Sequence, residues 1–123
     1  MGIYPNKMNP EQCLFCKISK GEIKATILYQ DDAVTAFRDI HPVAPTHVLI
    51  VPNKHIQSIN EMEAEDELIL GHLFFVAKKI TQQENIAESG YRSIINTGVH
   101  GGQTVSHLHL HIIGGKPLRE PMG

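Results

Sequence analysis

His107-Leu108-His109-Leu110-His111-Ile112-Ile113-Gly114-Gly115 is the stretch that decides how this chain is read. Imidazole and aliphatic side chains alternate, and two further aliphatics and a glycine pair follow. Successive side chains of a strand point to opposite faces, so the alternation predicts three imidazoles on one face, roughly 6.6 Å apart in succession. Leu108, Leu110 and Ile112 then enter the core behind them. In a helix the same histidines would stand about 200° apart in succession and could not converge. A wall of imidazoles suits two kinds of chemistry. Neutral imidazole is the commonest metal ligand; alternatively, one imidazole attacks an electrophile while its neighbours bind or relay protons. The bland alternative is a row of solvent-facing histidines on an edge strand, but a run that continues into a further apolar pair is organised for burial.

In bulk the chain is ordinary. Its 123 residues suit one domain with a single core. The 41% hydrophobic and 20% charged residues are the balance of a soluble protein. A net charge of −2 gives no electrostatic footprint for nucleic acid or an anionic membrane. No apolar run approaches the ~18 residues of a bilayer span, so neither partner is expected. Residues 1–12 are polar, carry Pro5 and Pro10, and hold no apolar signal-peptide core, which predicts a flexible tail on a cytoplasmic protein. Met1-Gly2 opens like an acylation signal, but Asn6 stands where Ser or Thr is required.

Cys13-Leu14-Phe15-Cys16 brings together the two cysteines of the chain. A disulfide is disfavoured in a reducing compartment, and a thioredoxin-like redox pair would need a preceding strand that is not there. Two thiolates at this spacing also make half of a tetrahedral zinc site that two histidines would complete. Phe15, Ile18 and Ile23 otherwise read as the apolar side of a short first helix that stops near Gly21.

Residues 27–30 and 33–37 flank Asp31-Asp32, which predicts a hairpin around a tight acidic turn. His47-Val48-Leu49-Ile50-Val51-Pro52 is apolar after His47, as expected of a central strand buried on both faces. A long helix is predicted over 64–83, with Ser58 or Asn60 as the cap. At about 100° per residue Ile69, Leu70, Leu73, Phe74, Val76, Ala77 and Ile80 fill one arc, leaving Leu68 and Phe75 on the opposite side. His72 reads as a surface residue. Residues 90–95 form a fourth strand, and a glycine-rich loop over 96–104 leads into the histidine strand. Strands outnumber crossovers, so an antiparallel α+β sheet is expected.

His-x-His-x-His followed by two apolar residues and Gly-Gly resembles the active-site motif of the histidine triad (HIT) family of nucleotide hydrolases and transferases. The likeness runs from Cys13 to Gly115. Phe15-Cys16-Lys17-Ile18, Ala36-Phe37-Arg38-Asp39-Ile40, Ala44-Pro45-Thr46-His47, Val51-Pro52-Asn53-Lys54-His55 and Gly101-Gly102-Gln103-Thr104-Val105 look, in this order, like successive signatures of its nucleotide-binding, phosphoramidase branch. The fold this implies is a five-stranded antiparallel sheet with one long and one short helix. Two subunits would join as a homodimer with a ten-stranded sheet. The domain would span 13–115, with tails at 1–12 and 116–123.

The resemblance further implies that His109 attacks an α-phosphorus to give a covalent nucleotidyl-histidine. His111 and His47 would be its hydrogen-bond partners and proton relays, and Thr104 the hydroxyl facing the leaving group. Asn96, Gly102 and Gln103 would offer donors to the phosphate, Asp39 would take the ribose hydroxyls, and Phe15, Ile18, Phe37 and Ile40 would hold the base. In zinc-carrying relatives the ligands match Cys13, Cys16, His55 and His107, a closed structural set. No organic cofactor is implied. The implied activity is hydrolysis of purine nucleoside 5'-phosphoramidates, with a purine mononucleotide or its conjugate as ligand. The alternatives are a dinucleoside polyphosphate hydrolase or phosphorylase, and a zinc- and nucleotide-binding module without turnover; intact His109 and Thr104 speak against the module. One departure concerns the tail. Relatives commonly end in Trp-Pro-Pro-Gly, which reaches the leaving-group side of a neighbouring site. This chain ends Arg119-Glu120-Pro121-Met122-Gly123 and has no tryptophan, which leaves its leaving-group preference open.

Overall fold

A computed structural model describes residues 10–119, so the parts of both expected tails at 1–9 and 120–123 lie outside the described residues. Pro10–Gln12 form a 3-10 turn, and α1 (Leu14–Ser19) follows. It ends before Gly21, whose φ of +78° a side chain would strain. Then come β1 (Ile27–Gln30), β2 (Val34–Arg38), β3 (Thr46–Pro52), α2 (Glu67–Gln83), β4 (Tyr91–Ile94) and β5 (Leu110–Gly114). The strands make one antiparallel sheet in the order β1-β2-β3-β5-β4. The predicted α+β class, element order and hairpin are all present.

β3 is central and buried along its whole length, because each face of the sheet is covered. Val48 and Ile50 meet Leu73, Val76, Ala77 and Ile80 of α2. Leu49 and Val51, on the other face, meet Cys13, Phe15, Cys16 and Ile18 around α1. Each of the aliphatic side chains so removed from water contributes about 1.5–3 kcal/mol. The β1–β2 turn is closed by Asp31, whose Oδ1 accepts from the N–H groups of Ala33 and Val34, both at 2.8 Å. Its Oδ2 takes the Tyr29 hydroxyl and the His72 ring, each at 2.7 Å. Burial alone would raise the Asp31 carboxyl, but these donors outweigh it and hold it below the ordinary carboxylate range.

Three expectations are corrected. The strand begins at Leu110, not at His107. Leu108 N–H leaves the ladder and donates to Ile56 O at 2.7 Å, because the neighbouring strands offer partners only from Leu110 and His111 onward. The alternation survives this, and Leu108, Leu110 and Ile112 are all buried. The long helix enters through a 3-10 turn, Ala64–Asp66, where the Asp66 carboxylate accepts from Glu63 N–H at 2.9 Å. Ser58 instead caps a separate 3-10 turn, Ile59–Glu61. Finally, Phe74 leaves the core arc and is 45% exposed. His72 and Lys79 mark the side of α2 that faces β1, through Asp31 and Tyr29. Phe74 lies roughly 160° round the helix from His72 and so points along the sheet toward β4.

Candidate active site

The register of the sheet lays out the site. Phe37, Leu49, His111 and Ile94 form one row across β2, β3, β5 and β4. His47, Ile113 and Arg92 form the next row across β3, β5 and β4. His109 enters from the segment before β5, its ring centroid 4.9 Å from that of His111 and 5.2 Å from that of Phe15. His111 lies 5.2 Å from His47 by the same measure. Thus one face carries His109, His111 and His47 in sequence.

Hydrogen bonds fix which nitrogen of each ring can act. His109 Nδ1 donates to the carbonyl of His107 at 2.7 Å, which leaves the lone pair on Nε2 free of any partner among the described residues. Val43 N–H donates to His47 Nδ1 at 3.2 Å, so the neutral His47 ring carries its proton on Nε2. That proton faces His111 Nδ1 at 3.0 Å and Asp39 Oδ2 at 3.4 Å. His111 in turn keeps its own proton on Nε2, where it is available to a ligand. Burial pushes the pKa of all three rings below the ordinary histidine value. For His111 it is helped by the charges of His109 and His47, against Asp39, and its pKa falls to about 4. A buried imidazole has lost the water that would stabilise its cation, so near pH 7 these rings are neutral. The Asp39, His47 and His111 donor atoms are close enough to suggest a cation site. The Val43 bond argues for a proton relay instead, because metal at His47 Nε2 would force the ring proton onto Nδ1, against that N–H.

Beside this row lies a cavity of about 600 Å³. Phe15, Ile18, Phe37, Asp39, Ile40, His47 and Thr104, to which the resemblance gives roles at a nucleotide, all line it. Phe15 and Phe37 meet edge to face at 5.4 Å. Leu14, Ile23, Leu49 and Val105 also line the cavity and were not singled out in the sequence, where they look like any core aliphatic. Asn96, Gly102 and Gln103 are not in its lining. Asn96 Nδ2 donates to Gly101 O at 2.7 Å, and the N–H groups of Gly102 and Gln103 bond back to Val99 O and Gly98 O. The Gln103 side chain is buried and donates to Gln57 O and Val105 O while accepting from Gly98 N–H. These bonds shape the loop from within, and the buried Gln103 amide in particular must find partners; Thr104 is left facing the cavity.

Behind the row, Cys13, Cys16, His55 and His107 bring their ligand atoms within 4.8 Å of one another. Cys13 Sγ and Cys16 Sγ lie 3.2 and 3.5 Å from His107 Nδ1, and Cys16 Sγ lies 3.2 Å from His55 Nδ1. Ligands about 2.3 Å (sulfur) and 2.0–2.1 Å (nitrogen) from one tetrahedral ion would stand roughly 3.5 Å apart, so the donor set fits. His107 Nε2 donates to Pro52 O at 2.8 Å, which fixes the tautomer with Nδ1 open toward the thiols. Burial, then the bond and charge of Cys13, push the Cys16 thiol up to about 12 against the pull of Lys20, and burial brings His107 down to about 4. Two sulfurs and two imidazole nitrogens grouped so closely are a donor set suited to a cation.

Comparison with known proteins agrees with this geometry. The HIT domain model matches residues 20–118. This chain belongs to the HIT domain family. It is 56% identical over 108 residues to the purine nucleoside phosphoramidase of Escherichia coli K12, covering 88% of this chain and 91% of that protein. A HIT family hydrolase from Legionella pneumophila superposes with a TM-score of 0.87 at 48% identity, over 91% of this chain and 100% of that one. A histidine triad protein from Clostridium difficile gives 0.88 at 44%, over 92% and 98%. In this chain His47, bonded to His111, lines the cavity of about 600 Å³. No helix among its described residues is long and apolar enough to cross a membrane.

Proposed function

We propose that this chain hydrolyses purine nucleoside 5'-phosphoramidates. The observation that carries the reading is the His109 ring, held by one nitrogen on the His107 carbonyl, with the other free of partners among the described residues and the ring 5.2 Å from that of Phe15 in the cavity wall. The kinship to the Escherichia coli phosphoramidase supports it. With the base between Phe15, Ile18, Phe37 and Ile40 and the ribose hydroxyls on Asp39, the α-phosphorus comes to His109. The Nε2 lone pair forms a bond to phosphorus and the P–N bond breaks. Its electron pair goes to the amine, which takes up a proton delivered along His47 and His111. Water then attacks phosphorus and gives a proton to His111 and His47, which replaces the one the amine took; the bond to His109 breaks, and all three rings return unchanged. Thr104 offers its hydroxyl to the departing nitrogen. Neutral rings suit this role because a protonated imidazole has no lone pair with which to attack.

The test is His109→Ala. Turnover should fall by at least about 10³-fold, since no neighbouring ring replaces a missing nucleophile, while nucleotide binding persists. Wild-type enzyme quenched during turnover should carry a covalent nucleotide that the variant lacks. Turnover by the variant within tenfold of wild type would sink the mechanism.

Zinc is the ion we assign to Cys13, Cys16, His55 and His107, in a structural role: two thiolates and two imidazoles leave no open position for substrate. The homodimer is proposed through β4. The β1 edge is guarded by a bulge between Ile27 and Tyr29, whereas β4 pairs without one and has a free outer edge. Two free buried thiols favour a reducing, cytoplasmic setting.

A further inference from the structure

The four-donor group and the nucleoside cavity share one element. Cys13 caps the N-terminus of α1 and Cys16 stands in its first turn, while Leu14, Phe15 and Ile18 of the same helix line the cavity. Phe15 is where the two meet. Its ring lies edge to face with His107 at 5.8 Å, with His109 at 5.2 Å and with Phe37 at 5.4 Å. One side chain thus touches a member of the donor group, the attacking ring and another residue of the cavity wall.

The members of the donor group are held unequally. His107 Nε2 is fixed on Pro52 O at 2.8 Å, and the His107 carbonyl holds His109 Nδ1 at 2.7 Å. That side keeps its place whatever occupies the group. His55 Nε2, by contrast, is buried with no partner among the described residues. α1 has six residues, too few to be helical unaided. Its last turn is tied where Gln30 Nε2 donates to Ser19 O at 2.8 Å. At its first turn the two thiols face His107 and His55 at 3.2 to 3.5 Å, and a thiol is a weak hydrogen-bonding group. Bonds from both sulfurs to one ion would replace those weak contacts and fix the turn that carries Phe15 against the sheet.

Resting on the nucleotide slot of the phosphoramidase reading and on zinc at this group, we infer that Cys13 and Cys16 are positioning residues for the base. The metal they hold sets the wall that Phe15 and Ile18 present to the purine. Metal and base therefore bind cooperatively, and the coupling is reciprocal: whatever factor zinc adds to nucleotide affinity, the nucleotide adds to zinc affinity. The ribose and phosphate end is spared. His47 and His111 stand on β3 and β5, Asp39 directly follows β2, and His109 hangs on the His107 carbonyl, so none of them depends on α1.

The test measures equilibrium binding of AMP, and of ribose 5-phosphate, which lacks the base, to zinc-loaded and metal-stripped protein. Zinc should tighten AMP by at least about fivefold, the lower end of a typical coupling between two sites, and should change ribose 5-phosphate by less than about twofold. A second measurement starts from the loaded protein. In competition with a chelator of known affinity, saturating AMP should lower the zinc Kd by the same factor, and ribose 5-phosphate should not. AMP affinity that is equal in both forms, or a zinc Kd indifferent to AMP, overturns the inference. So does ribose 5-phosphate responding as strongly as AMP, which would make the metal a stabiliser of the whole fold, and so does protein that takes up no zinc. AMP binds without turnover, so the two readings separate. Zinc-dependent AMP binding in a protein that cleaves no phosphoramidate would overturn the phosphoramidase reading and leave the coupling standing.

Discussion

Gln103→Ala separates two roles for a residue that lies next to Thr104. If the Gln103 amide contacted phosphate, its loss would weaken catalysis and leave the fold alone. The structure instead spends the amide internally: Nε2 donates to Gln57 O at 2.8 Å and to Val105 O at 2.9 Å, and Oε1 accepts from Gly98 N–H at 3.0 Å. The residue is 1% exposed. Truncation removes three bonds at about 1 kcal/mol each and leaves three backbone groups short of a partner, so about 3 kcal/mol is lost. For a chain of this size that is roughly a 10 °C fall in Tm. Because those bonds hold both ends of the loop that carries Thr104, a displacement of about 1 Å at the site should lower kcat/KM by up to 10²-fold. Calorimetry at fixed protein concentration and steady-state hydrolysis of an adenosine phosphoramidate read the two effects. Gln103→Ala with Tm within 1 °C of wild type, whatever its activity, would refute the reasoning.

The pH profile is a second check. Burial lowers His47 and His111, the latter to about 4, so the neutral enzyme persists into acid. Activity that needs neutral rings is lost only as pH falls through these depressed values, and the acid limb of kcat/KM should lie below the ordinary histidine value of about 6.5; a midpoint at or above 6.5 contradicts it. Metal analysis of protein purified without added zinc should give close to one equivalent, and its removal by a chelator should lower Tm. Metal-free protein with both thiols freely titratable in the native state would remove zinc from the account. Assembly gives the last prediction. Since Phe74 points toward β4 and Phe75 lies under Lys79 on the β1 side, Phe74→Glu should dissociate a β4-paired dimer and Phe75→Glu should not. A wild-type monomer at micromolar concentration by light scattering would end that proposal.

What was legible in the sequence was local. The alternation of residues 107–113 gave the strand face, and with it the burial of Leu108, Leu110 and Ile112, because a period of two depends only on neighbours along the chain. Periodicity likewise placed α2, and Asp31-Asp32 the hairpin. The resemblance named the Cys13, Cys16, His55 and His107 group that the fold brings together. Tertiary structure decided the rest, since it depends on partners remote in the chain. The tautomer of His47 is set by Val43 N–H and that of His107 by Pro52 O, neither visible in the pattern of histidines. The bonds of the Gln103 side chain were not legible either, because nothing in Gly-Gly-Gln-Thr says that Gln57, 46 residues away, will take its amide. Phe74 sits on the apolar arc of α2 by phase, but where the sheet stops short of covering that arc is fixed by strand order. The row that carries His47 to Arg92 exists only because β3 and β4 both choose β5, and pairing register is a property of the folded sheet.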